Sequence, residues 1–413
     1  MTTREKVLEY IEKGWDDTTR FHPQDEEAGV ATLYGVPYPY TIPAAGMFEE
    51  LYYQDAYYNN IGLELSGRYQ LAKNDIDDIL FMIERFGCMK NSNRHFHAGV
   101  SHPPYSSAMV RSIYDHYRDK SWLYGAYNTL KKEYKFWMTE RMTEIGLNQY
   151  GGKNTDKSEA EKAADFCRRI SGRPEGLTDK ELVDEYMIFC ECGQDANPRW
   201  GFEGRNTVQV DLNCLLYLFE KNMAYFSEKL GMNEEAQWIS ASEKRKELMK
   251  KFMLCKEGYY TDYNFVKCEH SKVFSASNFF AMYVGLADEN EAKCLVDNLS
   301  RLELKYGLAA CEKNEYCDKY TLQWNYPIIW SFFQYITPKG LDMYGYKEKA
   351  EEILRKYVEL IDKNFAQTGK IWEKYNGIDG SLDVIREYDM PPMVGANASV
   401  YLAALHYFET GEI

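Results

Sequence analysis

The sequence predicts an all-α fold, and three observations carry that expectation. Apolar residues recur at steps of three and four from end to end, period-two alternation is nearly absent, and long polar and aromatic segments follow alternate helical stretches. The clearest stripe is Leu212, Leu215, Leu216, Phe219, Met223, Phe226 and Leu230, which stops at Gly231 and reads as one buried helix face. Comparable stripes run through Leu123, Ala126, Tyr127, Leu130, Tyr134 and Trp137 and through Ile353, Leu354, Tyr357, Leu360 and Ile361. Weaker ones lie near 75–86, 104–118, 157–170, 234–253, 288–303 and 396–408, for about a dozen helices in all. The best alternating stretch is short, Gly258 to Tyr263. The segments Gly35 to Phe48, Lys90 to Tyr105, Cys192 to Thr207, Tyr316 to Trp330 and Lys370 to Asn397 are rich in Gly, Pro, aromatic and ionisable residues. Their recurrence after alternate helices is the spacing that six helical hairpins would show with a functional rim at one end. No composition break divides the chain, so residues 1–413 read as one domain.

Composition narrows the function. With 45% hydrophobic and 27% charged residues the chain has the make-up of a packed globular protein. A net charge of -15, without a compact Lys/Arg block, repels phosphate backbones and anionic lipid, so nucleic acid and membrane partners are not expected. Met1 to Trp15 carries Glu5, Lys6, Glu9, Glu12 and Lys13 and lacks a signal-peptide core, so a cytoplasmic location is expected. The ten scattered cysteines read as reduced thiols, and no histidine completes a zinc spacing around Cys190 and Cys192 or Cys311 and Cys317. No metal or other cofactor is expected. Tyrosine outnumbers phenylalanine 35 to 20, which suits sugar faces and helix seams alike.

Hydrolysis of a glycosidic bond needs one carboxylic acid to protonate the leaving oxygen and one carboxylate to activate water or attack the sugar. Acids inside aromatic, polar loops are therefore the candidates: Asp55 after Tyr52-Tyr53-Gln54, Asp195 in Cys192-Gly193-Gln194-Asp195-Ala196-Asn197-Pro198-Arg199-Trp200, Glu373 in Trp372-Glu373-Lys374-Tyr375, and Glu387 in Arg386-Glu387-Tyr388. Among 64 acidic residues, spacing alone does not choose between them.

A resemblance does choose. Ile42-Pro43-Ala44-Ala45-Gly46-Met47-Phe48-Glu49-Glu50-Leu51-Tyr52-Tyr53-Gln54-Asp55-Ala56-Tyr57 resembles the trehalase signature P-G-G-R-F-x-E-x-Y-Y-W-D-x-Y. Asn91-Ser92-Asn93-Arg94 and His102-Pro103-Pro104-Tyr105 are similar to that family's N-G-N-R and Q-P-P-F, and Gly146-Leu147-Asn148, Gln323-Trp324-Asn325-Tyr326-Pro327 and Glu373-Lys374-Tyr375 follow in the same order. The resemblance covers roughly residues 30 to 410 and implies an (α/α)6 barrel and an inverting hydrolase acting on a small α-glucoside. It implies Asp195 as general acid and Glu387 as general base, with Glu373 in reserve for the base. The implied substrate-binding set is Phe48, Tyr53, Gln54, Asp55, Asn93, Arg94, Gln194, Arg199, Trp324, Asn325 and Glu373. Trp200 is an additional wall candidate.

The departures cluster where substrate is gripped. Met47 replaces the signature Arg, Gln54 and Gln194 replace Trp, and Asn325 stands in place of Asp. The Arg expected in a P-R-x-E-S string after Asn148 has no counterpart in Gly151-Gly152-Lys153-Asn154-Thr155. Another small α-glucoside or α-mannoside, such as a glycosylglycerate, is therefore an alternative substrate. Two further readings remain open: a sugar isomerase or epimerase using His95, His97 and His102, and a sugar-binding relative without turnover.

Overall fold

The computed structural model describes residues 1–27, 32–95 and 98–413. Among them are fourteen α-helices: α1 (Thr3–Asp17), α2 (Tyr53–Leu65), α3 (Tyr69–Phe86), α4 (Ser106–Tyr117), α5 (Lys120–Glu140), α6 (Glu159–Arg169), α7 (Asp179–Cys192), α8 (Val210–Leu230), α9 (Glu235–Phe252), α10 (Phe280–Tyr283), α11 (Glu289–Asn298), α12 (Phe333–Met343), α13 (Lys347–Thr368) and α14 (Gly395–Thr410). Helices α2, α4, α8, α10, α12 and α14 form a closed inner ring, each packing on the next and α14 closing on α2. Outside it, α3 packs on α2 and α4, α5 on α4 and α8, α9 on α8, and α13 on α12 and α14, with α1 against α13. This is an (α/α)6 barrel, as the resemblance implies. Strands are short; Tyr263–Asn264 pairs with Thr207–Val208 and with Glu269–His270, at the end of the alternating stretch.

The inner α2 reads differently from the outer α3 and α13 because it is buried differently. The outer α3 and α13 are amphipathic, with Ile76, Ile79 and Ile83 on one buried face and Ile353, Leu354, Tyr357 and Leu360 on the other. The inner α2 buries Tyr53, Gln54, Ala56, Tyr57, Tyr58, Asn59, Asn60, Gly62 and Leu63, on every side of the helix. With polar Gln54, Asn59 and Asn60 buried among the apolar residues, α2 shows no stripe.

Helices α6 and α7 stand outside the alternation and pack on each other around a separate apolar cluster that includes Phe166, Ile170, Phe189, Trp200 and Phe202. Phe166 stacks on Tyr186 at 5.5 Å and Phe189 on Trp200 at 5.4 Å. Both helices begin at capping boxes, Ser158 with Glu161 and Thr178 with Glu181, which satisfy first-turn amides that have no partner within the helix.

Candidate active site

A cavity of about 670 Å³ opens at the rim where the chain enters α2, α4, α12 and α14 and leaves α7. Helix N-termini point their unpaired amides and positive dipole ends toward that side, an environment that favours carboxylates.

The segment entering α2 is fixed by its backbone. Leu51 N donates to Asn93 Oδ1 at 2.8 Å, Asn93 Nδ2 donates to the Tyr34 carbonyl at 3.0 Å, and Tyr53 N donates to the Asn91 carbonyl at 3.0 Å. Tyr53 Oη donates to Glu133 at 2.8 Å and accepts from Ser106 N at 2.8 Å, tying the starts of α2 and α4 to α5. Burial pushes the Glu133 carboxyl up to about 7. On this frame Phe48, Gln54 and Asp55 face the cavity. Burial, then the charges of Glu373 and Asp195, push Asp55 up to about 7.

Asp195 is placed by the end of α7. Gly193 caps that helix at φ 65, and a Cβ there would lie 2.1 Å from Gln54 Oε1, so only glycine lets the chain turn against Gln54. Ala196 follows in the left-handed region at φ 54. Asn197 then accepts from Arg199 N at 3.0 Å and donates to Gln194 Oε1 at 3.1 Å, closing the loop behind the acid.

The loop between α13 and α14 carries Glu373, Glu387 and Tyr388. Glu373 accepts from Lys374 Nζ at 2.7 Å and from Tyr388 Oη at 2.6 Å, and Lys374 Nζ also donates to Gln323 Oε1 at 2.6 Å. Its carboxylate is thus committed to orienting the loop that holds Glu387. Burial is the main cause that lifts the Glu387 carboxyl to about 7; Arg169 opposes it and Asp195 adds to it.

Asp195 and Glu387 come together on one side chain. Arg169, the last residue of α6, donates from Nη2 to Asp195 Oδ2 and from Nε to Glu387 Oε2. The two facing oxygens therefore lie at most about 8 Å apart, the span of one guanidinium and two ordinary hydrogen bonds. The Asp195 side chain is 29% exposed and that of Glu387 only 1%, so one carboxylate faces the cavity and the other sits behind Arg169.

Residues 2–171 and 180–408 match the trehalase family model. The chain belongs to the trehalase family. It is 29% identical over 407 residues to the cytosolic neutral trehalase of Emericella nidulans, a match that spans 85% of this chain and 53% of that protein. A periplasmic trehalase of Pseudomonas aeruginosa is 28% identical over 399 residues, covering 90% of this chain and 70% of its own. The chain thus spans about half the length of the first of these relatives. Among solved structures, the neutral trehalase of Saccharomyces cerevisiae superposes with a TM-score of 0.77 at 24% identity, over 98% of this chain and 80% of that one. A mannosylglycerate hydrolase of Thermus thermophilus, in complex with Tris and D-glycerate, gives a TM-score of 0.64 at 15% identity over 98% and 100%. Both share the fold.

Within this trehalase-family site, Phe48, Gln54, Asp55, Asp195, Trp324 and Glu373 line the cavity, and Glu387 reaches it through Arg169. Six residues expected at the substrate lie outside the wall. Arg199 is fully buried, donating to Asp211 at 2.8 Å and approaching Asp262 at 3.3 Å, so its charge is spent on a buried ion triad. Arg94 pairs with Glu50 at 2.5 Å, and only Glu50 of that pair lines the cavity. Tyr53 and Asn93 make the frame contacts above. Gln194, just before Asp195 in the same loop, turns away from the cavity, with Oε1 accepting from Ser277 Oγ at 3.0 Å. Asn325 accepts from Asn314 Nδ2 at 2.6 Å and from Tyr326 N at 2.8 Å. Trp200 belongs to the apolar cluster of α6 and α7.

The residues that sequence reasoning missed come mainly from the α6 arm and the aromatic floor. Asp156, Lys157, Lys162, Asp165 and Arg169 form one wall; Tyr52, Trp330, Phe332 and Tyr388 form much of another. Of the three loop histidines, His102 lines the cavity, His95 is bonded to Tyr34 Oη at 2.8 Å, and His97 lies outside the described residues. No group of three or more His, Cys, Asp or Glu is arranged to hold a metal among the described residues.

Proposed function

We propose that this chain is an inverting glycoside hydrolase of trehalase type, cleaving an α-glucosidic bond of a small sugar, with residues 1–413 working as one catalytic unit. Asp195 is the general acid, giving its proton to the glycosidic oxygen as the bond to C1 breaks. Glu387 is the general base, taking a proton from the water that attacks C1 from the opposite face, so the released sugar carries the inverted configuration. The observation that carries this reading is that the two carboxylates share Arg169 at the edge of one sugar-sized cavity. Asp55 grips hydroxyls of the first sugar, and Phe48 and Trp324 cover its apolar faces.

The aglycone side is less like the resemblance. Arg94 and Arg199 are held by carboxylates, and the wall facing Asp195 is the charged α6 arm, with Lys162 on Asp156 at 2.8 Å and Lys157 on Asp165 at 2.5 Å. This favours testing other small α-glucosides and α-mannosides, glycosylglycerates included, beside trehalose. Turnover of one panel member, abolished in both Asp195→Asn and Glu387→Gln with folding intact, supports the assignment. Full activity in either variant overturns that residue's role; reversible conversion of aldose to ketose would support the isomerase reading instead.

No helix among the described residues is long and apolar enough to cross a membrane. A cytoplasmic location is part of the proposal, supported by ten unpaired cysteines and a cytosolic relative, and the periplasmic relative makes cell fractionation its test.

A further inference from the structure

We infer that Arg169 is a positioning residue which keeps Glu387 ionised and holds Asp195 in a resting pair until the leaving half of the substrate displaces it. This rests on the acid and base assignment above. The string in which the resemblance places an arginine after Asn148 carries none here, and the guanidinium at the carboxylates comes from the far end of α6 instead.

The arm is built to aim that guanidinium. Phe166 stacks on Tyr186, and Arg169 lies over the same Tyr186 ring at 5.6 Å with Nη1 3.5 Å from its hydroxyl. Its neighbour Arg168 turns outward and pairs with Asp165, with a side chain 74% exposed. Only Arg169 of the doublet serves the site.

One cation cannot serve both carboxylates in their working states. A guanidinium favours the ionised form of each partner, which is the working form of a base and the idle form of an acid. Glu387 is buried, and among the described residues its Oε1 has no hydrogen-bond partner while Oε2 is held by Arg169. Oε1 is therefore the oxygen left to accept a proton once the displacement of Arg169 from Asp195 lets water reach it. The groups around the pair are Tyr186 and Cys190 on α7, Lys162 on α6, Lys374 and Tyr388 on the loop before α14, and Asp55 beyond Asp195. Lys374 is already bonded to Glu373 and Gln323. Arg169 is thus the cation that bonds Glu387 directly. Asp195 must leave Arg169 to reach the glycosidic oxygen, and the hydroxyls of the leaving group are the ligands that arrive on that side.

The test is the pH profile of kcat/KM for the best glycoside of the panel, measured for the parent, Arg169→Met and Arg169→Lys, with thermal midpoints recorded for all three. Loss of the cation should move the acidic limb of Arg169→Met up by about one pH unit or more and lower kcat/KM at pH 7 about tenfold or more. Arg169→Lys should keep the limb near its parental place. The same upward shift is expected with the α-glycosyl fluoride, whose departure needs little protonation, because the base still acts. A limb that stays put in Arg169→Met while the rate falls equally at every pH overturns the inference and leaves the glycosidase reading standing. A parent that turns over none of the glycosides overturns both.

Discussion

Replacing Arg199 by Met tests whether its charge belongs to the fold or to the substrate. The side chain is fully buried between Asp211 and Asp262, and Asp211 also accepts from Gln194 Nε2 and Tyr150 Oη, each at 3.3 Å. Removing the cation leaves two buried carboxylates without a counter-charge, a change that costs about 3–5 kcal/mol in comparable buried pairs. For a chain of 413 residues the unfolding entropy is about 0.9 kcal/mol per degree, so the thermal midpoint should fall by about 3–6 °C. The pH dependence supplies a second signature. Burial pushes Asp262 up to about 6 even though Arg199 pulls it down, so the folded protein holds this proton more tightly than the unfolded chain. A carboxyl raised in this way destabilises the fold above its folded pKa and ceases to do so as pH falls toward its unfolded value. Without Arg199 the folded pKa rises further. The deficit of Arg199→Met against the parent should therefore shrink between pH 7 and pH 5. Differential scanning fluorimetry at these two pH values reads both effects. An unchanged midpoint together with a large rise in KM would refute the reasoning and return Arg199 to the substrate.

Three other outcomes follow from the site. In the proposed role Glu387 works as a carboxylate, and burial lifts it to about 7, so kcat/KM of the parent should fall about tenfold per pH unit below 7, as a stopped assay across pH 5–8 would show. Gly193→Ala places a methyl group 2.1 Å from Gln54 Oε1 at a left-handed backbone position; about 1–2 kcal/mol of lost stability and a raised KM are expected, and a variant equal to the parent in both would contradict the close approach. Asp55→Asn keeps the shape but loses an acceptor of two hydroxyl bonds, so kcat/KM should drop by about 1.5–3 kcal/mol of transition-state stabilisation, read by steady-state kinetics.

Much of the barrel was legible in the sequence, and the gaps have a physical pattern. The stripes at 123–137 and 353–361 fall in α5 and α13, where one face is buried, and the stripe at 212–230 falls in α8, whose apolar residues recur at helical steps although polar ones are buried between them. The inner α2 gave no stripe because polar Gln54, Asn59 and Asn60 are buried among its apolar residues, and α12 hides behind Pro338 and Gly340 in its own length. At the site, Asp55, Asp195 and Glu373 sit on the cavity wall. Arg94 and Arg199 carry the right motif letters and Asn325 replaces the motif's Asp, yet all three are spent, on Glu50, on Asp211 and Asp262, and on Asn314, partners that motif spacing cannot reveal. Arg169 was invisible for a related reason. It ends an ordinary helix beside another arginine, and only the packing of Phe166 on Tyr186 distinguishes the two.

The first-formed anomer is the most direct measure of the chemistry assigned to Asp195 and Glu387. Proton NMR in the first minutes of hydrolysis of an α-linked substrate, before mutarotation, should show the β-sugar ahead of the α-sugar. Release of the α-sugar first would mean a double displacement, and the pairing of one proton donor with one water-activating carboxylate would be wrong.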